Sequence, residues 1–214
     1  MTLITERYQA QVARWPRAGR HILAQFDSDS IVVYQAYRPS IGRLAAEHGS
    51  FGGEFSFTRM SWIKPNFLWM MYRCGWGTKA DQEVVLAIRL RRAGFDELLA
   101  QTVPSRFDPA LYATPEEFRA ALEQSSVRLQ WDPDHDPSGA PVERHAVQLG
   151  LRGEALRRYA REWIHDVQDI SAFVAEQRAY LDEPGWPRLV TPREQVYPVI
   201  GPAVAWRLGL GGGE

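Results

Sequence analysis

The 214-residue sequence contains one cysteine, Cys74, and no long hydrophobic run. A single cysteine excludes an intramolecular disulfide and any metal site built only from cysteines. Because no stretch of about 18 apolar residues is present, we expect no membrane-spanning helix. The stretch MTLITERYQAQVARW carries charges where a signal peptide needs an unbroken apolar segment, so we expect a cytoplasmic protein.

The sequence also has little net charge, with a formal value of −1 at pH 7. This balance argues against a dedicated duplex-DNA binder, which needs a broad basic surface. Arginines are concentrated at residues 7–20 and 152–161, where they predict solvated helix faces, with an anionic ligand as the alternative. The zinc-hydrolase pattern HExxH is absent, as are GxSxG and the Walker Gly-Lys-Ser/Thr loop.

The composition is that of an ordinary globular protein, with 45% apolar and 24% charged residues. A chain of this length can form a large core without disulfides. We therefore predict a single α+β domain over residues 1–208, followed by a flexible tail, GLGGGE, at residues 209–214.

Patterns along the chain predict a mixture of strands and helices. Alternating or β-branched apolar residues predict four strands, at residues 30–37, 83–92, 126–131 and 142–151. Capping residues and helical spacing predict helices at 39–49, from 115 after a Thr114 cap, and over 154–181 with a break near Asp169. There is no regular βαβ rhythm, so we expect a mixed or antiparallel sheet around a buried helix at residues 67–71.

The stretch MSWIKPNFLWMMYRCGW, residues 60–76, combines many aromatic residues with Lys64 and Arg73. Pro65 predicts the start of a helix and Gly75 a left-handed cap at its end. The intervening segment is apolar on all sides, so it is predicted to lie in the core. Its indole and phenol groups need polar partners, which places some of them at the rim of a cleft near the two cations. Such a cleft suits a flat anionic ligand such as a nucleotide; packing alone is the alternative.

A second polar motif, WDPDHDPSG, places Asp132, Asp134, His135 and Asp136 close together. Metal ligation is possible with these side chains, but the prolines and the Ser-Gly pair favour a polar turn. Cys74 lies at the carboxyl end of the predicted helix, where the helix dipole opposes a thiolate. We expect it to be a buried, unreactive thiol.

Four long motifs identify a family. They are IVVYQAYRPSIG, RMSWIKPNFLWMMYRCGWGTKADQEVVLAIRL, VRLQWDPDHD and VQLGLRGEALRRYAREWI. Together they resemble the uncharacterised family catalogued as domain of unknown function 4291, over roughly residues 19–174. This resemblance implies no established activity.

The order of elements is also similar to that of the ADP-ribosyltransferase superfamily. In that superfamily a first strand ends in a polar-small-polar motif, a second strand runs into an aromatic-rich helix, and a late strand carries a Glu or Gln that contacts the NAD ribose. The matching positions here are Gln35-Ala36-Tyr37, Ser61-Trp62 and Gln148. The first motif usually has His or Arg and the last usually Glu. Glutamine can bond a ribose hydroxyl but brings no negative charge to an oxocarbenium-like transition state.

The resemblance implies an enzyme that binds NAD and transfers ADP-ribose to an unknown acceptor, a nucleic acid or a small molecule. Its candidate catalytic residues are Gln35, Trp62 and Gln148. Its candidate cofactor-binding residues are Tyr34, Tyr37, Arg38, Ser61, Lys64, Trp69 and Arg73. Two alternatives stay open: a non-catalytic module that binds a nucleotide or single-stranded RNA through aromatic residues and the arginines at 152–161, and an interaction protein without a small-molecule site.

Overall fold

The structure, a computed structural model, describes residues 3–210, and within them it confirms the α+β class. The strands are β1 (Thr5–Arg7), β2 (Gly19–Arg20), β3 (Leu23–Ala24), β4 (Ser30–Tyr37), β5 (Ser61–Ile63), β6 (Val84–Arg91), β7 (Thr102–Pro104), β8 (Val127–His135), β9 (Pro141–Leu151), β10 (Ile164–Asp169), β11 (Val190–Pro192) and β12 (Gln195–Val196). The helices are α1 (Tyr8–Val12), α2 (Pro39–His48), α3 (Phe67–Cys74), α4 (Arg92–Ala100), α5 (Pro115–Gln124), α6 (Gly153–Arg158), α7 (Ser171–Arg178) and α8 (Pro202–Arg207), with a π-helix at Tyr159–Trp163.

Two principal sheets form the framework. One has the order β10-β6-β4 and is antiparallel. The other has the order β2-β9-β8-β7, with β5 antiparallel to the end of β9. The two sheets meet where Lys64, just after β5, pairs with Tyr34 of β4 through two backbone hydrogen bonds of 2.7 and 3.2 Å. The predicted mixed sheet is therefore divided into two sheets that share one bridge.

Two apolar cores lie on opposite faces of this framework. The larger core includes Val33 of β4, Ile63 of β5 and Leu149 of β9. The smaller core lies beneath α3 and includes Tyr34 of β4 and Met71 of α3. Because strand side chains alternate between faces, neighbouring residues of β4 enter different cores.

Several local predictions are confirmed, and each has an identifiable cause. Gly49 and Gly75 end α2 and α3 in the left-handed conformation, with φ of 64° and 57°. The hydroxyl of Thr114 accepts a hydrogen bond from the amide of Glu117 at the start of α5 (3.1 Å). The Glu117 carboxylate reaches back to the amide of Ala113 (2.9 Å), one residue before the cap.

Helix α3 is buried as predicted but begins two residues later than expected. Asn66 caps it by accepting a hydrogen bond from the amide of Trp69 (2.7 Å). Glu194, distant in sequence, accepts a further hydrogen bond from the amide of Phe67 (2.6 Å). Pro65 therefore lies in the connection between β5 and the helix, outside its first turn.

The predicted helix over residues 154–181 is wrong in its middle. Helix α6 ends at Arg158, and the π-helix that follows it ends at Trp163. The next six residues form β10, antiparallel to β6. Val167 continues the helical spacing but pairs with Ile88 in the sheet. Tertiary pairing with β6 thus determines the conformation of this segment, against its local pattern.

The motif WDPDHDPSG is a turn only in its second half. Strand β8 continues through His135, and the turn follows at Asp136, whose carboxylate accepts hydrogen bonds from the amides of Ser138 (2.9 Å) and Ala140 (3.0 Å).

Of the predicted tail at residues 209–214, Leu210 packs against the larger core, while residues 211–214 lie outside the described residues. Within residues 3–210, no helix is long and apolar enough to cross a membrane.

Candidate functional site

A cavity of about 490 Å³ opens beside the bridge that joins the two sheets. Its walls come from the end of β4, the loop and strand at residues 54–64, helix α3 and the loop at residues 81–82. The volume falls within the range of pockets that hold small molecules. Seven of the ten predicted site residues line it, namely Gln35, Tyr37, Arg38, Ser61, Trp62, Lys64 and Arg73.

The cavity has an excess of positive charge. Its cationic side chains are Arg38, Arg59, Lys64 and Arg73, and its acidic ones are Glu54 and Asp81. Arg38 is paired with Glu54 at 2.7 Å, which neutralises one charge of each sign. The remaining three cations and one carboxylate favour an anionic ligand.

Gln35 and its neighbours form a rigid hydrogen-bond network at the cavity wall. The Gln35 amide donates to Ser61 Oγ (2.8 Å) and to the carbonyl of Trp62 (3.1 Å), while its Oε1 accepts from the hydroxyl of Tyr159 (2.6 Å). The hydroxyl of Tyr37 shares a 2.9 Å hydrogen bond with Ser61 Oγ. Burial raises the pKa of Tyr37, so its hydroxyl is neutral. Gln35 therefore positions β5 against β4, and its own hydrogen-bonding atoms are used within the protein.

Lys64 is the most deeply buried cation of the cavity, with 6% of its surface exposed. The sequence placed it near a rim, whereas the bridge to Tyr34 fixes its backbone at the junction of the two sheets. Its neighbour Ile63 enters the larger core, so the Lys64 side chain lies on the opposite face, toward α3. Burial, together with the positive charge of Arg73, lowers the pKa of Lys64 to about 8.

Trp62 lies on the same face as Lys64, above a glycine of β9. A β-carbon at Gly150 would come within 3.0 Å of the Trp62 ring and 2.7 Å of the Met60 sulfur. Gly150 pairs directly with Trp62 across the two strands. The absence of a side chain at this position allows the indole to lie against the sheet and to form part of the cavity wall.

Gln148 is buried two residues from Gly150 and does not line the cavity. Its amide donates to Asp132 of β8 at 2.8 Å, and Gln130 donates to the other oxygen of the same carboxylate, also at 2.8 Å. Continuing the register of β5 and β9 by one residue places Gln148 across from Lys64. The structure thus groups Gln148 with Trp62 and Lys64 on one face, whereas Gln35 points to the opposite face.

Tyr34 and Trp69 also lie outside the cavity wall. Tyr34 is fully buried in the smaller core, and its hydroxyl has no hydrogen-bond partner among residues 3–210. Trp69 is 4% exposed and belongs to a stack of parallel rings with Tyr72 and His135. The guanidinium of Arg73 lies 5.9 Å from the centre of the Trp69 ring. Trp69 therefore affects the cavity indirectly, through its cation–π contact with the guanidinium of Arg73.

The thiol, the candidate metal ligands and the arginines at 152–161 lie outside the cavity wall. Cys74 is buried, and burial raises the pKa of its thiol. Among the described residues, no group of His, Cys, Asp and Glu side chains is arranged to hold a metal ion. Most arginines of the 152–161 segment have partners: Arg157 pairs with Glu154, Arg158 with Glu97 and Glu162, and Arg152 with backbone carbonyls.

Three residues of the site region were not identified from the sequence. Arg59 lies in an irregular loop that has no distinctive pattern. The sequence pattern predicts a polar turn at Asp132, whereas the strand-like alternation just before it continues through this residue in β8. Tyr159 was read as one position of a long helix, and its bond to Gln35 depends on the π-helix that follows α6.

Comparison with known proteins gives a family and no activity. No curated protein gave a significant match to the chain. A family model described as "Domain of unknown function (DUF4291)" matches residues 21–197, which include every lining residue of the cavity. The chain therefore belongs to the DUF4291 family.

Proposed function

We propose that the cavity binds NAD and that the protein is an ADP-ribosyltransferase-like enzyme. The observation that supports this proposal most is the convergence of three separate sequence segments, 35–38, 59–64 and 70–73, on one cationic, partly aromatic cavity. A dinucleotide combines flat rings with a pyrophosphate, and the cavity offers a partner for each. The exposed guanidinium of Arg73 meets the pyrophosphate, and the Trp62 indole stacks on a ring.

Gln148 and Asp132 lie outside the cavity wall, on the strand face that Gln148 shares with Trp62 and Lys64, and in the proposed enzyme the reacting ribose lies against that face. The amide nitrogen of Gln148 is held by Asp132, whereas its Oε1 makes no hydrogen bond within the described residues. That oxygen is an acceptor for a ribose hydroxyl. Positive charge develops at the anomeric carbon when the nicotinamide bond breaks, and the Asp132 carboxylate provides the negative charge that Gln148 lacks.

The binding step is tested by the stabilisation that NAD gives to the folded protein. At a hundredfold excess over its Kd, a ligand stabilises the native state by about 2.7 kcal/mol. We expect Arg73→Gln to lower the affinity at least tenfold, which removes about 1.4 kcal/mol of that stabilisation. Arg43→Gln is the matched control, because Arg43 is an exposed arginine of α2 outside the cavity. Equal stabilisation of both variants, or none of the wild type, would contradict the proposal.

The same experiment separates the enzyme from a non-catalytic nucleotide-binding module. Such a module would show stabilisation by NAD or ADP without release of nicotinamide. For a single-stranded RNA module, the arginines at 152–161 would have to give up existing ion pairs to bind phosphates. The geometry therefore favours a compact nucleotide in the cavity over a nucleic-acid strand along this segment.

A further inference from the structure

The chain uses lysine at only two positions, and the two occupy opposite environments. Lys64 and Lys79 are the only lysines among its 25 lysine and arginine residues. Lys79 is exposed on the loop after α3, whereas Lys64 is 6% exposed and lines the cavity. Lysine differs from arginine in that it can lose its proton and become a nucleophile under physiological conditions. The buried position therefore carries a group whose chemistry arginine cannot provide.

The amino group of Lys64 has no hydrogen-bond or ion-pair partner in the described part of the chain, although the negative charge of Asp132 offsets part of the lowering of its pKa. It makes no hydrogen bond and no ion pair, although its backbone is fixed by the Tyr34 bridge. Buried Arg144 shows the usual alternative, since it forms an ion pair with Asp134 at 2.6 Å and donates to the carbonyl of Pro16 at 2.7 Å. A buried cation without such partners is costly, so burial shifts the equilibrium of this group toward the neutral amine. An unpaired amine in a cavity is available to a ligand.

We propose that Lys64 is a nucleophilic amine that forms an imine with an aldehyde or ketone bearing an anionic group. The nitrogen lone pair attacks the carbonyl carbon to give a carbinolamine, which loses one water and leaves a carbon–nitrogen double bond. No oxidant or reductant is needed. Arg59 and Arg73, which line the same cavity, hold the anionic group. The inference concerns the cavity assigned to NAD but does not depend on NAD binding.

The protonation state of Lys64 agrees with this role. With a pKa of about 8, roughly a tenth of the amine is neutral at pH 7. An ordinary lysine, with a pKa near 10.4, is less than about 0.1% neutral at that pH. Enzymes activate lysine nucleophiles in this way, by desolvation and by a neighbouring cation. Lys64 has both features, since it is buried and lies near Arg73.

The test is site-resolved imine trapping in the full-length protein. Pyridoxal 5′-phosphate, an aldehyde with a phosphate, is added at pH 7, the imine is reduced with borohydride, and the modified peptides are quantified by mass spectrometry. We expect Lys64 to be modified at least about tenfold faster than Lys79, which serves as an internal control, because of its larger neutral fraction. Lys64→Arg should abolish modification at this position and leave the rate at Lys79 unchanged. Equal rates at the two lysines, or a slower rate at Lys64, would overturn the proposal.

Competition with inorganic pyrophosphate tests the anionic part of the inference. It should slow the modification of Lys64 severalfold and leave Lys79 unaffected. If pyrophosphate changes the rate of modification at neither lysine, the proposal that Arg59 and Arg73 bind the anionic group is wrong. Failure of NAD to bind, together with selective trapping at Lys64, would remove the proposed transferase and leave the imine proposal intact. Stabilisation by NAD without selective trapping would remove the imine proposal alone.

Discussion

At the scale of single residues, burial of Lys64 affects stability as well as chemistry. The folded-state pKa of about 8 lies below the ordinary value of 10.5. The unfolded chain therefore binds more protons than the folded chain between these two pH values, and stability rises with pH across that interval. At pH 7 the difference of about 2.5 pH units corresponds to a destabilisation of about 3 kcal/mol at most.

Lys64→Met should therefore stabilise the protein at neutral pH. We expect its free energy of unfolding at pH 7 to exceed that of the wild type by about 1–3 kcal/mol, because methionine fills the site without a charge. The difference should narrow as the pH rises from 7 to 10, since Lys64 then becomes neutral in the folded state. Urea denaturation at several pH values measures both effects, with Lys79→Met as a control that should change little. A variant less stable than the wild type at pH 7, or a difference that widens with pH, would contradict this explanation.

At the scale of elements, the sequence predicted those whose signals are local. The cap at Thr114 and the terminal glycines Gly49 and Gly75 act within a few residues, so α5, α2 and α3 were identified. The predicted start of α3 at Pro65 is two residues early because Asn66, a local signal, is the N-cap of the helix. Strand β10 is not predicted because its partner β6 lies far from it in sequence.

The candidate site shows the same division between local and long-range information. Residues near 35–38 and 61–73 could be predicted because each set belongs to one contiguous motif. The partner of Gln148 could not, because Asp132 reaches it only through the antiparallel pairing of β8 and β9. The superfamily resemblance implies catalytic roles for both Gln35 and Gln148, and the side-chain alternation of β4, β5 and β9 places the two on opposite faces.

The junction of β5 and β9 gives a prediction about the shape of the cavity wall. Gly150→Ala would bring its β-carbon within 2.7 Å of the Met60 sulfur and 3.0 Å of the Trp62 ring, so both side chains must shift. We expect a loss of about 1–3 kcal/mol in the free energy of unfolding, typical of an overpacked site, and a several-fold weaker affinity for NAD. Thermal denaturation with and without NAD measures both quantities. Gly52→Ala is the control, since no atom lies within 4 Å of its added carbon; similar effects in both variants would contradict the assigned role of Trp62.

At the scale of the whole molecule, the two ends of the chain support the helix that lines the cavity. Strand β1 pairs with β11, and the indole of Trp15 donates to the carbonyl of Glu194 at 2.9 Å. The Glu194 side chain in turn binds the first turn of α3. Burial raises the pKa of this carboxyl well above its usual value. That a single domain spans residues 1–208 stays a prediction.

The proposed function requires the cavity and Gln148 to cleave NAD together. The most direct measurement is the release of nicotinamide from NAD by the wild type, by Gln148→Ala and by Gln124→Ala, an exposed control on α5. We expect turnover by the wild type and the control, and a roughly tenfold to thousandfold loss in Gln148→Ala with a much smaller change in NAD affinity. In the proposed transferase, the hydrogen bond from a ribose hydroxyl to Gln148 would strengthen in the transition state. Equal, background-level release from all three proteins, with nucleic-acid and protein acceptors present, would contradict the account.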